Sequence, residues 1–203
     1  MRNVIGLSGQ KRSGKTHFAN ALAAKRKDTF VCSFASPLRL LVYSLMYQRK
    51  NYEVVARSWF DAMGLPDRSR ELVRFIESHD NLFEFDEYGK PRKALQLIGT
   101  EFLRSEIPGC HLTLLERRVN TRQANGDSCI VDDVRFDDEV DLILSYNHNV
   151  VVRIIGAEDE LEPEHESERG IDWTKHPVIV FDNRARSEAQ LDAFLDKLLH
   201  NMV

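Results

Sequence analysis

Two glycines, a lysine and a threonine near the start of the chain are spaced for phosphate chemistry, in Gly9-Gln10-Lys11-Arg12-Ser13-Gly14-Lys15-Thr16. This segment, the glycine loop, matches the phosphate-binding pattern G-x-x-x-x-G-K-[ST] at every fixed position. Glycines let backbone N–H groups close around an anion, and Lys15 offers a mobile positive charge to the same oxygens. Thr16 offers a hydroxyl ligand to Mg²⁺. The residues predicted to bind the phosphates are Gly9, Lys11, Arg12, Ser13, Gly14, Lys15 and Thr16.

A second reactive stretch is Val131-Asp132-Asp133-Val134-Arg135-Phe136. An apolar strand that ends in carboxylates, after a phosphate-binding loop, is the Walker-B arrangement, in which one carboxylate holds Mg²⁺ directly or through water. We assign that role to Asp133 and expect Arg135 to face the same cleft. The alternative is a strand-end turn with solvated charges, which the preceding glycine loop disfavours.

A third stretch, Leu95 to Arg104, carries polar residues at helical spacing. Leu103 interrupts the polar face, and Gly99 allows close approach of backbone or ligand. A polar helix face is usually just solvated, but Gly99 makes a binding surface an equal alternative here, so both interpretations stay open. The polar face consists of Arg92, Gln96, Thr100 and Arg104.

Short apolar runs separated by helical segments indicate the elements that position these residues. Five strands are expected, near residues 4–7, 29–34, 128–131, 150–155 and 178–181. Strands alternating with helices predict an α/β fold with a mostly parallel sheet, helices on both faces and ligands at the carboxyl ends of the strands. The second and third strands are too far apart for a normal crossover. Residues 36–127 are therefore expected to form a helical insertion within one domain, 1–203.

Composition bounds the classes of function. The chain has 203 residues, of which 42% are hydrophobic and 30% charged, with a net charge of −4. The acidic balance disfavours a stable nucleic-acid partner, and no apolar run approaches the ~20 residues that cross a bilayer. Three cysteines, Cys32, Cys110 and Cys129, show no C-x-x-C spacing, so a zinc site is disfavoured. We expect a protein of the reducing cytoplasm, without a signal peptide, and buried thiols at Cys32 and Cys129.

Four further motifs occur in order behind the glycine loop: Phe34-Ala35-Ser36-Pro37-Leu38, Leu95-Gln96-x-x-Gly99-Thr100-Glu101-x-x-Arg104, Asp133-Val134-Arg135-Phe136 and His165-x-Ser167-Glu168. Together they resemble the deoxynucleoside monophosphate kinases of tailed bacteriophages, a branch of the adenylate-kinase-like P-loop kinases. The resemblance runs from Val4 to about Asn183. It implies a P-loop NTPase fold and Mg²⁺-dependent phosphoryl transfer from ATP to a deoxynucleoside monophosphate, in the host cytoplasm if the chain is of phage origin.

The resemblance also implies roles for particular residues. Lys15 would act on the transferred group, Arg104 and Arg135 would grip the acceptor phosphate, and Asn183 and Arg184 would lie at the donor adenine. Residues 156–170 would form a lid-like loop that contains Arg169, with Arg153 just before it. The resemblance does not identify which residue serves as the lid arginine, and the acidic run 158–168 and His165 receive no defined role. The implied acceptor-binding residues are Phe34, Ser36, Pro37, Gln96, Thr100, Glu101, Arg104 and Arg135.

Three other functions stay open on the sequence alone. One is a P-loop kinase for another phosphorylated small molecule, such as phosphomevalonate or dephospho-coenzyme A. Another is a regulator or chaperone that binds ATP and hydrolyses it slowly or not at all. A third is a nucleic-acid ATPase, which the acidic balance disfavours. The sequence does not specify the accepted nucleobases or the oligomeric state, a homodimer included.

Overall fold

The computed structural model describes residues 2–48, 51–157 and 170–202. The chain divides into two compact units. The sheet unit consists of Met1–Ser33 and Leu115–Val203, and the helical unit of Phe34–Leu114. The predicted insertion, 36–127, overlaps the helical unit but extends beyond its end at Leu114.

The sheet unit is built on five parallel strands in the order β2-β3-β1-β4-β5. All five residues of the central strand β1 are buried, as expected for a parallel strand covered on both faces. This confirms the predicted α/β fold class. The strands are β1 (Val4–Ser8), β2 (Thr29–Cys32), β3 (Ser128–Val134), β4 (Asn149–Ile155) and β5 (Ile179–Asp182).

Helices account for most of the remaining described residues. A π-helix, Leu97–Leu103, joins α5 to α6, so the stretch Leu95 to Arg104, whose spacing indicated a helix, is helical with a wider middle. Among the described helices, none is both long and apolar enough to span a bilayer. The helices are α1 (Lys15–Lys25), α2 (Ser36–Tyr47), α3 (Tyr52–Ala62), α4 (Ser69–Glu77), α5 (Arg92–Gln96), α6 (Arg104–Glu106), α7 (Cys110–Ala124), α8 (Asp137–Leu144) and α9 (Glu188–Asn201).

Each unit has its own hydrophobic core. In the sheet unit, residues of β1, β3 and β4 pack with one face of α1 and with α9, and Phe18 of α1 lies against Phe181 and Phe194. In the helical unit, Phe60 is fully buried among residues of α2, α4 and the π-helix. Since each core is built from residues of one unit, each unit can fix its own candidate residues.

The three cysteines are buried free thiols, which confirms the predicted burial of Cys32 and Cys129. Burial raises the pKa of Cys129 to about 11 and also raises that of Cys32. These thiols stay protonated near neutral pH and act as small apolar side chains.

Candidate functional site

The glycine loop connects the central strand β1 to α1, and both of its glycines have positive φ angles. Gly9 has φ 151° and Gly14, the N-cap of α1, has φ 99°. A Cβ atom at Gly9 would collide with the carbonyl oxygen of Ile154, and one at Gly14 with Nδ2 of Asn183. Only glycine tolerates both the positive φ angle and the lack of space for a Cβ atom at these two positions. The two glycines therefore let the loop pack closely against β4 and the segment after β5.

The side chain of Lys15 lies along the glycine loop. Its Nζ donates hydrogen bonds to the carbonyl oxygens of Gly9 and Gln10, at 2.6 Å each, and lies 3.5 Å from Oγ of Ser13. These bonds keep the ammonium charge at the loop. Gly14 has no side chain with which to cap the first N–H groups of α1, and such N–H groups attract phosphate.

The two aspartates of the Walker-B stretch lie within β3, not after it. The β1–β3 register passes from Gly6↔Val131 to Ser8↔Val134, so two residues of β3 stand opposite one residue of β1. This irregularity coincides with Asp132 and Asp133, and such bulges redirect side chains beside active sites. Asp133 is 8% exposed and Asp132 is partly exposed. The strand was expected to end in these carboxylates, and it runs one residue beyond Asp133, to Val134.

The backbone of Arg135 is fixed by a residue that sequence reasoning missed. Its N–H donates to Oε2 of Glu139 at 2.7 Å, and Glu139 is 2% exposed in the first turn of α8. On its other side, the carbonyl oxygen of Arg135 lies against Gly170, where a Cβ would not fit. An acidic residue at the third position after a helix start was the available signal for Glu139, since such residues reach back to N–H groups before the helix.

An open cleft of about 410 Å³ lies beside the N-terminus of α1. Asn183 enters it after β5 and donates from Nδ2 to the carbonyl oxygen of Ser13 at 2.8 Å. At its rim, Nε2 of His17 lies 3.0 Å from Oε1 of Glu188. The lining residues are Arg12, Gly14, His17, Asn183, Arg186, Ser187, Glu188 and Leu191.

Arg184, predicted to lie at the donor adenine, forms an ion pair with Asp182 at the end of β5. Its Nε is 3.0 Å and 3.1 Å from the two carboxylate oxygens of Asp182. Hydrogen bonds from Arg184 lower the pKa of Asp182 to about 2. Arg184 is not among the residues that line the cleft, whereas Arg12, Asn183 and Arg186 are.

The predicted acceptor residues, apart from Arg135, belong to the helical unit. Phe34 is 7% exposed, and the carbonyl oxygen of Pro37 accepts a hydrogen bond of 3.0 Å from Nε1 of Trp59. These two residues therefore also support the packing of their own unit. Ser36, Gln96, Thr100 and Arg104 are partly exposed and Glu101 is exposed.

Gly99 and its neighbours Thr100 and Glu101 lie in the π-helix, a form that is frequent at functional sites. A Cβ on Gly99 would lie 2.6 Å from Cδ2 of Leu38 on α2. The close approach that Gly99 permits is thus made by a side chain of the same unit. The neighbouring Gln96 and Arg104 flank the π-helix, whose larger number of residues per turn changes their angular offset around the helix axis relative to a regular α-helix.

The oxygen atoms of Thr16 and Asp133 are chemically suited to bind a magnesium ion. Thr16, on the first turn of α1, offers a hydroxyl oxygen, and Asp133 offers a carboxylate that is largely buried. Hard oxygen ligands of this kind suit Mg²⁺, which keeps several waters and binds through one or two protein groups. The assignment of Thr16 and Asp133 as its ligands stays a prediction.

Two further predictions stay untested. Arg104 belongs to the helical unit and Arg135 to the sheet unit, and their joint grip on one phosphate stays a prediction. Most of the predicted lid-like loop, including the acidic run, His165 and Arg169, lies outside the described residues. Arg153, the other candidate arginine, lies on β4 with its guanidinium 5.3 Å from the ring centre of Trp173.

Together, the five-stranded parallel sheet and the glycine loop after its central strand form an α/β fold consistent with a P-loop kinase. No family model matches the chain. Over an alignment of 253 positions, gaps included, the chain is 24% identical to a protein of Escherichia phage T5 named deoxynucleoside-5'-monophosphate kinase. The match covers 100% of both chains. It supports a distant relation to that kinase and, more broadly, a role as a nucleotide kinase.

Proposed function

We propose that the protein transfers the γ-phosphoryl group of ATP to a deoxynucleoside monophosphate. The observation that carries this proposal is the glycine loop, which follows the central strand β1. Lys15 is hydrogen-bonded to this loop, and Asp133 lies on the adjacent strand β3. The full-length similarity to the phage T5 kinase supports the choice of acceptor.

In this proposal the donor side acts by positioning and electrostatics. The N–H groups of the loop and Lys15 hold the β- and γ-phosphates, and Thr16 and Asp133 hold the metal. Bound Mg²⁺ would neutralise the charge that develops on the phosphate oxygens. Lys15 must then exchange some of its bonds to the Gly9 and Gln10 carbonyls for phosphate oxygens, which a side chain with three donors can do.

On the acceptor side, two arginines would bind the monophosphate. A guanidinium group forms two parallel hydrogen bonds to phosphate and stays charged at every relevant pH. Arg135 is suited to this because its backbone is fixed by Glu139, which leaves less freedom to lose on binding. An ionised phosphate acceptor is already a nucleophile, so no general base is required.

The test is ADP release in a coupled assay, with ATP and each of dAMP, dGMP, dCMP, dTMP and dUMP. We expect release that depends on at least one of these acceptors and on Mg²⁺. Release with phosphomevalonate or dephospho-coenzyme A in place of the deoxynucleotides would assign a different kinase. Slow release that no acceptor stimulates would favour a nucleotide-binding regulator and would contradict the proposal.

A further inference from the structure

Asn183 links three parts of the sheet unit that are distant in sequence: the segment after β5, the end of β4 and the glycine loop. Its backbone N–H donates to the carbonyl oxygen of Ile155, the last residue of β4, at 2.8 Å. Its side-chain Nδ2 donates to the carbonyl oxygen of Ser13 at 2.8 Å and lies directly against Gly14. The amide of Asn183 is therefore bonded to the glycine loop, the part of the chain that would bind phosphate.

The bond to Ser13 fixes the direction of an entire peptide group. The Ser13–Gly14 peptide is trans, so its carbonyl and its N–H point in opposite directions. With the carbonyl oxygen held by Asn183, the N–H of Gly14 points away from Asn183. That N–H precedes the first turn of α1, where the phosphates would be held.

The alternative orientation of this peptide is not blocked by Gly14, whose missing side chain permits many backbone conformations. Ser13 is 1% exposed, so its carbonyl oxygen would lose a partner in a buried setting if Asn183 did not donate to it. Leaving a buried acceptor without its partner is unfavourable. The hydrogen bond from Asn183 therefore selects one loop conformation out of several that glycine allows.

We propose that Asn183 is a positioning residue for the donor triphosphate: its side-chain amide holds the Ser13–Gly14 peptide in the phosphate-binding orientation. The inference rests on the proposed use of the glycine loop for a nucleoside triphosphate. It revises the expectation that Asn183 recognises the donor adenine, because a residue that acts through the loop must affect every triphosphate equally, with or without a base.

The probes are ATP, GTP, CTP, UTP and inorganic tripolyphosphate, each titrated with Mg²⁺ against the full chain by calorimetry. Asn183→Leu keeps the approximate size of the side chain and removes the donor. We expect affinity for all five probes to fall by a similar factor, about 5- to 30-fold, which corresponds to one lost hydrogen bond to a buried acceptor. The KM for ATP should rise while the KM for the monophosphate stays unchanged.

Two further variants make the test specific. Asn183→Asp has the same shape but presents an oxygen to the Ser13 carbonyl, so it should weaken all five probes more than Asn183→Leu does. It also serves if the leucine variant does not fold. Gln190→Ala removes an exposed amide from α9 and should leave every affinity within about twofold.

The outcomes separate the inference from the proposed function. A loss for ATP with tripolyphosphate unchanged would assign Asn183 to the base and overturn the inference. Equal affinities in wild type and both Asn183 variants, with phosphoryl transfer intact, would also overturn it while the proposed function stands. A wild-type chain that binds no triphosphate at all would overturn both.

Discussion

The sheet unit and the helical unit hold their candidate residues in different ways. In the sheet unit, Asp133 lies near the end of β3 and Asn183 directly after β5, where backbone register fixes their positions, and hydrogen bonds to the glycine loop hold the side chain of Lys15. In the helical unit, Gln96 and Arg104 flank a π-helix, where one extra residue in a turn changes which side chains share a face. The difference teaches that, in the proposed reaction, the sheet fixes the residues assigned to the phosphate donor, whereas the acceptor residues of the helical unit depend on local helix geometry.

The largest expected effect tests the donor half of this comparison. Lys15→Ala removes the charge that lies on the glycine loop, and kcat should fall by at least ~10²-fold, as for other losses of a preorganised donor. Lys25→Ala removes the same charge from the last turn of the same helix, where it pairs with Asp192 and Asp196, and should leave kcat nearly unchanged. Near-normal transfer by Lys15→Ala would refute the loop as the donor site.

The next effect tests whether the two units share one acceptor site. Arg104→Lys and Arg135→Lys each keep the charge and lose the bidentate fork, so kcat/KM for the acceptor should fall roughly 10- to 150-fold while ATP parameters hold. Arg70→Lys, at an exposed position on α4, is the matched control. A change in the ATP parameters alone would assign both arginines to the ATP-binding site. If Arg104→Lys had no kinetic effect, Arg104 would be a solvated side chain without a role in acceptor binding.

The bulge in β3 makes a sharper test of the metal assignment possible. Asp133→Asn should raise the Mg²⁺ concentration needed for half-maximal activity by about tenfold or more, because a neutral amide binds a hard cation poorly. Asp132→Asn is the comparison, since Asp132 is the more exposed residue of the pair. If Asp132→Asn has the larger effect, Asp132 and not Asp133 is the Mg²⁺ ligand. Phosphoryl transfer without any metal would contradict the mechanism.

The smallest effect concerns Gly99 and decides between packing and ligand approach. Gly99→Ala pushes against Cδ2 of Leu38, the end of a flexible side chain, while alanine favours helical backbone. We expect the free energy of unfolding, measured in urea, to change by about 1 kcal/mol or less and the acceptor KM to stay unchanged. A large rise in that KM with stability unaltered would show that a ligand approaches Gly99.

The sequence predicted the elements whose signal is local. The apolar runs of β1 and β4 and the glycine pattern between β1 and α1 were each contained within a few residues, and the structure has them at the expected places. The α/β fold followed from their alternation. Burial of Cys32 and Cys129 followed from the apolar runs that contain them.

Other features depend on residues that are distant in sequence. The extra residue at Asp132 and Asp133 exists only relative to β1, and the bond from Asn183 to Ser13 joins residues 170 positions apart. Neither partner alone carries a recognisable pattern. The π-helix likewise departs from the 3.6-residue repeat that placed Thr100 and Arg104 on one face.

The strand order also has a consequence during synthesis. Among the strands that the structure describes, the central strand β1 pairs with β3 and β4 alone, and β2 pairs with β3 alone. The ribosome therefore releases the contiguous helical unit before the first two strands have any partner, reversing the usual N-terminal-first order. We expect stalled nascent chains from which the ribosome has released residues up to Asp127, but not Ser128 and beyond, to protect the helical unit, but not α1, from protease. Because the glycine loop also contacts Ile154 and Asn183, we expect nucleotide binding only when almost the whole chain has emerged from the ribosome.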